Sequence, residues 1–146
     1  MRILLASDHG GSDLKSALVA FMGERDDVEL VDLGCDGTCS VDYPDFAAQL
    51  CRKLLAGEGD RGILVCGTGI GISIAANRFS NIRAALCHDE FGARMSRQHN
   101  DANVLVLGGR TTGIEVAQGI LNMWLDTEFD GGRHQGRIEK IEKIAD

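Results

Sequence analysis

Five short hydrophobic runs recur along the chain, each four to six residues long and rich in Val, Ile and Leu. Glycine, aspartate or asparagine stands at most of their boundaries. Apolar runs of this length, without the alternation of a half-exposed strand, are typical of strands buried on both faces of a parallel sheet. The runs therefore predict five strands, at Ile3 to Ala6, Val28 to Leu33, Gly62 to Cys66, Ile82 to Cys87 and Val104 to Leu107.

The segments between these runs carry apolar residues at helical spacing, as Phe46, Ala47, Leu50 and Leu54 do after Pro44. Helices are predicted at Ser12 to Glu24, Tyr43 to Ala56, Gly71 to Arg78, Asp89 to His99 and Thr112 to Leu125. Strands and helices thus alternate along the chain. This alternation predicts a single three-layer α/β domain over residues 1–146, with right-handed crossovers between parallel strands.

The last segment, His134 to Asp146, has a different setting. Ile138, Ile141 and Ile144 recur every three residues and are flanked by charged residues, which predicts a further amphipathic C-terminal helix. Two placements stay open for it, against its own domain or on the surface of another subunit.

Composition and charge narrow the function classes. The chain is 44% hydrophobic and 25% charged, which is typical of a globular protein, and its net charge of −7 argues against a general surface for nucleic acid or anionic membranes. The N-terminus has no long apolar signal segment, so we expect a soluble, cytoplasmic protein. Five cysteines without a C-x-x-C pair, and four histidines without metal spacing, predict neither a disulfide framework nor a metal site.

Polar and titratable residues follow the predicted strands directly. Ligands of parallel α/β sheets bind outside the carboxyl ends of the strands, so these residues predict where a ligand binds. The segments are Ser7 to Gly11, Cys66 to Gly71, Cys87 to Asp89 and Gly108 to Arg110.

The segment Cys66-Gly67-Thr68-Gly69-Ile70-Gly71 is a glycine-rich turn from a strand into a helix. Such a turn exposes main-chain N–H groups at a helix N-terminus, which favour an anion, either a phosphate or an oxyanion formed during reaction. The known phosphate-loop patterns do not fit, because no lysine occurs between Lys53 and Lys140 and the G-x-G-x-x-G spacing fails. The same N-terminus favours a thiolate at Cys66, as nucleophile or base. The alternative is a buried cysteine that only fills space.

Two further clusters have candidate chemistry. His99 lies within S-R-Q-H-N-D-A-N, where neighbouring amides suit a histidine that acts as an acid or base, although a purely structural histidine is equally compatible. Arg133 and Arg137 lie four residues apart at a predicted helix start, a spacing that suits a phosphate ligand. Two solvated arginines on an acidic protein are the alternative.

Together these motifs resemble those of type B ribose-5-phosphate isomerases, a family that includes the galactose-6-phosphate isomerase subunits. The resemblance spans nearly the whole chain. It implies a Rossmann-like fold of five parallel strands with helices on both faces, and a homodimer or dimer of dimers with active sites at subunit interfaces. It also implies that neither metal nor nucleotide cofactor is needed. The motifs are D-H-G-G from Asp8, D-Y-P from Asp42, C-G-T-G-I-G-I-S-I-A-A-N from Cys66, S-R-Q-H-N-D-A-N from Ser96 and G-G-R-H-x-x-R from Gly131.

The resemblance implies a reaction that interconverts ribose 5-phosphate and ribulose 5-phosphate. A proton moves between C1 and C2 through an enediolate, and Cys66 is the implied base. The amides of the glycine loop would stabilise the enediolate oxygen, with the Thr68 hydroxyl beside them. The implied loop ligands are Gly67, Gly69, Ile70 and Gly71.

The remaining roles also come from the resemblance. His99 matches the acid that opens the sugar ring, with Asp8 as its partner, and Asn100 matches a sugar-binding position. The phosphate would lie on arginines rather than on the glycine loop, where the main-chain N–H groups alone would place it. The implied phosphate ligands are His9, Arg110, Arg133 and Arg137.

Other functions on the same fold remain open at this point. An isomerase of allose 6-phosphate or galactose 6-phosphate would use the same residues, and a non-catalytic binder of sugar phosphates would need the arginines and glycines alone. The presence of Cys66 together with His99 favours catalysis. Some relatives use a carboxylate base, but Ala75 stands at that position here. Cys35 and Cys39 receive no role.

Overall fold

The computed structural model describes residues 1–145, whose centre is a five-stranded parallel sheet. The order across the sheet is β2-β1-β3-β5-β4, and every neighbouring pair is parallel. All residues of β3 and β5 are buried, because helices cover both faces. The predicted parallel sheet is therefore confirmed. The strands are β1 (Arg2–Ser7), β2 (Glu29–Asp32), β3 (Arg61–Cys66), β4 (Ala84–Leu86) and β5 (Val104–Gly108).

Six helices form the two outer layers. One core cluster joins the sheet to α1, α4 and α5 and contains the fully buried Trp124, while the other joins it to α2 and α3. The three-layer arrangement follows from these two clusters. The helices are α1 (Ser12–Met22), α2 (Tyr43–Leu55), α3 (Ile70–Ala76), α4 (Glu90–Asn100), α5 (Ile114–Asp126) and α6 (Arg133–Glu142), with 3₁₀ turns at His9–Gly11 and Lys143–Ala145. None of the helices in the described part of the chain is long and apolar enough to cross a membrane.

The edge strand β4 is three residues long, where the hydrophobic run predicted six. The side-chain amide of Asn77 pairs with Ala84, the first residue of this short strand. It donates to the Ala84 carbonyl (2.9 Å) and accepts from the Ala84 N–H (2.9 Å), so it takes the place of a further strand. Hydrophobicity alone did not reveal this side-chain substitute.

The C-terminal helix packs against its own domain, which is one of the two placements that the sequence left open. Helix α6 contacts α4, and Ile138 is only 6% exposed. Ile141 and Ile144 remain 47% and 83% exposed. The predicted helix is also shorter, since α6 ends at Glu142 and Asp146 lies outside the described residues.

Candidate active site

The loops that follow β3 and β5 are joined by main-chain hydrogen bonds at the carboxyl edge of the sheet. The Gly109 N–H donates to the Cys66 carbonyl at 2.7 Å, and the Arg110 N–H donates to the Gly67 carbonyl at 2.9 Å. These bonds hold the glycine loop and Arg110 in a fixed relation. The loops after β3 and β5 therefore form one continuous surface at the carboxyl edge of the sheet.

Close contacts explain why glycines are needed here. Gly69 has φ +77°, and a Cβ there would lie 2.5 Å from Cδ1 of Leu86 and 3.1 Å from the Leu107 carbonyl carbon. A Cβ on Gly11 would lie 2.6 Å from the Val65 carbonyl. Side chains at these positions would force the loops apart. The glycines thus allow the loops after β1, β3 and β5 to meet.

Cys66 is 5% exposed, and its sulfur faces a polar group. The Gly69 N–H donates a hydrogen bond to Cys66 Sγ at 3.2 Å. The opposite pattern holds at Cys87, whose Sγ donates to the Ala85 carbonyl at 3.6 Å and therefore keeps its proton. A sulfur that accepts an amide hydrogen bond can bear negative charge. Burial alone would suit the space-filling alternative for Cys66, but the amide bond favours the reactive one.

Two other cysteines remain protonated thiols in neutral solution. Burial raises the pKa of Cys51 to about 11, and burial likewise raises the pKa of Cys87 to about 11 against an opposing hydrogen bond from Ser96. Both are packed into the core clusters. Neither thiol is therefore a candidate base.

These raised values predict how stability depends on alkaline pH. An unfolded cysteine ionises near pH 9 and the buried one near pH 11, so the stabilisation is complete below pH 9 and is lost as pH rises towards 11. We expect Cys51→Ala to remove this contribution. The difference in unfolding free energy between wild type and variant should then shrink by about 2–3 kcal/mol between pH 8 and 11. Urea titrations at several pH values measure it.

Cys39→Ala is the matched control, since Cys39 is exposed. Its free energy of unfolding should follow that of the wild type at every pH. Parallel curves for wild type and Cys51→Ala would contradict the raised pKa.

Asp8 and His9 lie beside the glycine loop and are oriented by main-chain groups. Asp8 Oδ1 accepts from the Gly11 N–H at 3.0 Å and caps the 3₁₀ turn. His9 Nδ1 accepts from the Val41 N–H at 3.2 Å. A neutral imidazole that accepts at Nδ1 has its proton on Nε2. His9 is thereby fixed as a hydrogen-bond donor.

Arg110 completes this group. A Cβ on Gly10 would lie 3.4 Å from its Nη2 and also 3.4 Å from Asp8 Oδ1, and a Cβ on Gly67 would lie 3.5 Å from its Nη1. The guanidinium therefore lies over the two glycines. We call the group of Asp8, His9, Cys66, Thr68 and Arg110 the thiol half-site. Thr68 and Arg110 are exposed, so this surface is open in a single chain.

His99 and Asn100 lie at the other edge of the sheet. Helix α4 begins after β4 at the carboxyl edge, runs back for 11 residues and ends at Asn100, four residues before β5 starts. At 1.5 Å per residue the helix is about 16 Å long. In a single chain, the predicted acid and the predicted base therefore lie at opposite ends of the strands.

At that amino edge His99 meets the start of α6. Its ring stacks on His134 with centroids 4.3 Å apart and planes 11° apart. Burial lowers the pKa of His134, and so do the charges of His99, Arg133 and Arg137, against an opposing effect of Asp130. The same residues thus share one charged surface. We call His99, Asn100, Arg133, His134 and Arg137 the imidazole half-site.

His99, Asp130 and His134 form a cluster of potential metal ligands. Their ligand atoms lie within 4.8 Å of one another. However, nearly parallel stacked rings direct their in-plane lone pairs side by side instead of towards one ion. Arg133 and Arg137 also add positive charge beside it. The arrangement favours an anion over a metal cation.

The predicted phosphate ligands share an electrostatic feature. Arg110, Arg133 and Arg137 have no carboxylate within 4.0 Å among residues 1–145, whereas Arg25, Arg83 and Arg97 are paired. Two arginines four residues apart repel one another, and the N-terminus of α6 repels both. A bound anion would offset this cost.

Tyr43 is a residue of the site that the sequence did not indicate, because the motif D-Y-P suggested no role for it. A Cβ on Gly71 would lie 2.6 Å from Cζ of Tyr43 and 2.9 Å from its hydroxyl oxygen, so the ring lies against the glycine loop. Tyr43 is 38% exposed. The signal available in the sequence was a tyrosine directly before a helix-starting proline, which does not reveal its contact.

Concave surfaces of about 480 and 380 Å³ lie beside α6 and the edge strand β4, and Arg83 lines both. No residue of the thiol half-site lines either of them. In a single chain the thiol half-site is therefore identified by its residue types and not by a cavity.

Comparisons with known proteins identify the family of the chain. A model of the ribose/galactose isomerase family matches residues 3–141. Ribose-5-phosphate isomerase B of Escherichia coli K12 is 48% identical over 98% of this chain and 95% of that protein. The D-erythrulose-4-phosphate isomerase of Pectobacterium atrosepticum is 39% identical, over 97% of this chain and 93% of that protein.

A solved structure shows the same fold. The structure of Clostridium thermocellum ribose-5-phosphate isomerase B superposes with a TM-score of 0.96 and 51% identity, and covers 99% of this chain and 97% of that chain. Sequence and structure thus agree over nearly the full length, and the chain belongs to the ribose/galactose isomerase family of sugar-phosphate isomerases.

Proposed function

We propose that this protein interconverts ribose 5-phosphate and ribulose 5-phosphate by moving a proton between C1 and C2 through an enediolate. The observation that carries this proposal is the hydrogen bond from the Gly69 N–H to Cys66 Sγ. It gives the sulfur a partner that stabilises thiolate, in the glycine loop that leads into α3. The family membership gives the class of substrate, and the named relatives make ribose 5-phosphate the first choice.

Ring opening comes first, because ribose 5-phosphate is mostly a closed furanose. His99 donates a proton to the ring oxygen as the C1–O bond breaks. Asp8 accepts the proton of the C1 hydroxyl, which leaves an open aldehyde. Asp8 is 7% exposed and its Oδ1 accepts a hydrogen bond from the Gly11 N–H, so its orientation is fixed before substrate arrives.

Proton transfer follows at the opened end of the sugar. The Cys66 thiolate removes the C2 proton, and the electron pair moves onto the C1 oxygen to form the enediolate. Amides of the loop and the Thr68 hydroxyl stabilise that oxygen, which is the larger contribution because the C2 proton is weakly acidic. The C2 hydroxyl then gives its proton to the C1 oxygen while Cys66 returns the carbon-bound proton to C1, so that C2 becomes the carbonyl of the ketose.

The phosphate binds at the far end of the substrate, on Arg133 and Arg137 with Arg110 and His9. The arginine pair has no carboxylate partner among residues 1–145 and stands at the positive end of α6. A doubly charged phosphate relieves both unfavourable contacts. Asn100 contacts the sugar hydroxyls from the same edge.

The two half-sites belong to different copies of the chain in this proposal. An extended five-carbon sugar phosphate measures about 8 Å from its bond lengths, which is half the length of α4. A homodimer, alone or as a dimer of dimers, would bring the thiol half-site of one copy to the imidazole half-site of its partner. Ile70 and Ile74 are 55% and 62% exposed beside the glycine loop, and Phe91 is 64% exposed. They supply apolar surface for that contact.

Substrate size is the main alternative. Allose 6-phosphate, galactose 6-phosphate or a four-carbon sugar phosphate would use the same chemistry, and the relative named D-erythrulose-4-phosphate isomerase illustrates such a change. A non-catalytic binder is disfavoured because it needs neither Cys66 nor His99. We also propose a single-domain protein that acts in the cytoplasm without nucleic acid or membrane partners, in keeping with its net charge of −7.

Steady-state kinetics on ribose 5-phosphate, allose 6-phosphate and galactose 6-phosphate test the function. We expect the highest kcat/KM with ribose 5-phosphate. Arg133→Ala and Arg137→Ala should each raise KM about tenfold to hundredfold with little change in kcat, because a charge-assisted hydrogen bond contributes about 1.5–3 kcal/mol.

Arg52→Ala is the matched control, since this exposed arginine on α2 belongs to neither half-site. Its KM should equal that of the wild type. Wild-type protein that binds ribose 5-phosphate without converting it would identify a binder. An unchanged KM in both arginine variants would place the phosphate elsewhere.

A further inference from the structure

His134 has no role in the reaction described above, yet it makes the closest ring contact of the proposed acid. Its imidazole stacks on that of His99 at 4.3 Å with an 11° angle between the planes. His134 is 7% exposed, whereas His99 is partly exposed. The inner ring thus forms a platform on which the outer ring lies.

We propose that His134 is a positioning residue, whose ring holds the His99 imidazole in the plane from which it protonates the ring oxygen of the closed sugar. This inference rests on the proposed function. It assigns to His134 the ring-opening step alone and leaves the proton transfer at Cys66 unaffected.

Main-chain bonds fix the stack from both sides. The Asp130 N–H donates to the Gln98 carbonyl at 3.1 Å, so the residue before His99 is tied to the loop before α6. The His134 N–H donates to the Gly131 carbonyl at 3.1 Å within the same loop. These bonds fix the main-chain positions from which the two rings extend towards each other.

The stack leaves the acid free to react. His134 contacts the face of the His99 ring, so the nitrogen edge through which a proton is donated stays available. A carboxylate oxygen of Asp130 lies within 4.8 Å of one nitrogen of each ring, so a negative charge stands close to the pair. Burial also lowers the pKa of His134, which favours its neutral form. Charge on Arg133 and Arg137 acts in the same direction.

The two half-reactions can be measured separately. Ribose 5-phosphate must be opened before C2 loses its proton. Ribulose 5-phosphate cannot close a five-membered ring, since the hydroxyl that would close it is phosphorylated. In D₂O, exchange at its C1 needs Cys66 and the glycine loop but not the ring-opening acid, and deuterium enters because thiol protons exchange rapidly with water. Exchange therefore reports proton transfer without ring opening.

The experiment compares wild type, His134→Ala and His134→Phe. For His134→Ala we expect kcat on ribose 5-phosphate to fall about tenfold to hundredfold, because a misplaced catalytic group costs up to about 10² in rate. KM should change less than threefold, and deuterium exchange into C1 of ribulose 5-phosphate should stay within about twofold of wild type. His134→Phe keeps a flat ring and should recover most of the lost kcat.

His88→Ala is the control for loss of a histidine, since His88 is exposed. Equal loss of turnover and exchange, unchanged turnover in His134→Ala, or a His134→Phe variant as slow as His134→Ala would each overturn the positioning role. A wild type that does not convert ribose 5-phosphate would instead overturn the proposed function.

Discussion

Cys66→Ala is expected to reduce kcat on ribose 5-phosphate by about 10²–10⁴, because it removes the group that takes and returns the proton. Affinity should remain close to that of wild type, since the proposed phosphate ligands lie at the opposite end of the substrate. Steady-state kinetics give the turnover, and calorimetry with ribose 5-phosphate gives the affinity. This separation of rate from affinity distinguishes a base from a binding residue.

Two variants sharpen that result. Cys66→Ser retains a small polar atom near the Gly69 N–H, but an alcohol ionises far less readily than a thiol, so its turnover should also be strongly reduced. Cys39→Ala removes an exposed thiol and should leave turnover unchanged. Near-normal turnover of Cys66→Ala would refute the assignment of the base.

Mixing two inactive variants should restore activity if the half-sites come from different copies. Cys66→Ala damages only the thiol half-site and His99→Ala only the imidazole half-site. A two-fold heterodimer of these chains has one site with both defects and one intact site. Random exchange makes half of the dimers heterodimers, so we expect about a quarter of wild-type activity. The assay measures turnover after subunit exchange by dilution from denaturant.

A second pair of variants serves as the control. Cys66→Ala mixed with Asp8→Ala places both defects in the thiol half-site, so every heterodimer keeps two damaged sites and no activity should return. Differently tagged chains confirm that heterodimers have formed. Heterodimers of Cys66→Ala and His99→Ala without activity would contradict a site shared between two copies.

The sheet was predictable because its strands are buried on both faces. Five short apolar runs, such as the one ending at Cys66, alternate with helical segments, and this pattern indicates buried parallel strands. Boundaries were harder, since β4 has three residues where the apolar run has six, and α6 ends at Glu142. Such ends depend on contacts between residues that the hydrophobic pattern does not record.

The site was predictable where its chemistry is local. The glycine loop after β3 indicated Cys66 and an amide donor, and the structure joins the Gly69 N–H to Cys66 Sγ. The phosphate role of Arg133 and Arg137 stays a prediction. The stack of His99 on His134 depends on how α6 packs against α4, which no local pattern encodes. The position of His99 at the amino edge was available in principle, because a helix after a parallel strand runs back along the sheet.

The separation of the proposed acid and base by α4 affects how the rate per chain depends on protein concentration. A catalyst whose two halves come from different copies has no active monomer, so its specific rate per chain is governed by mass action. On serial dilution the rate should therefore fall faster than concentration once dissociation begins. Surface substitutions on Ile70 or Ile74 would then impair the reaction without touching any reacting atom.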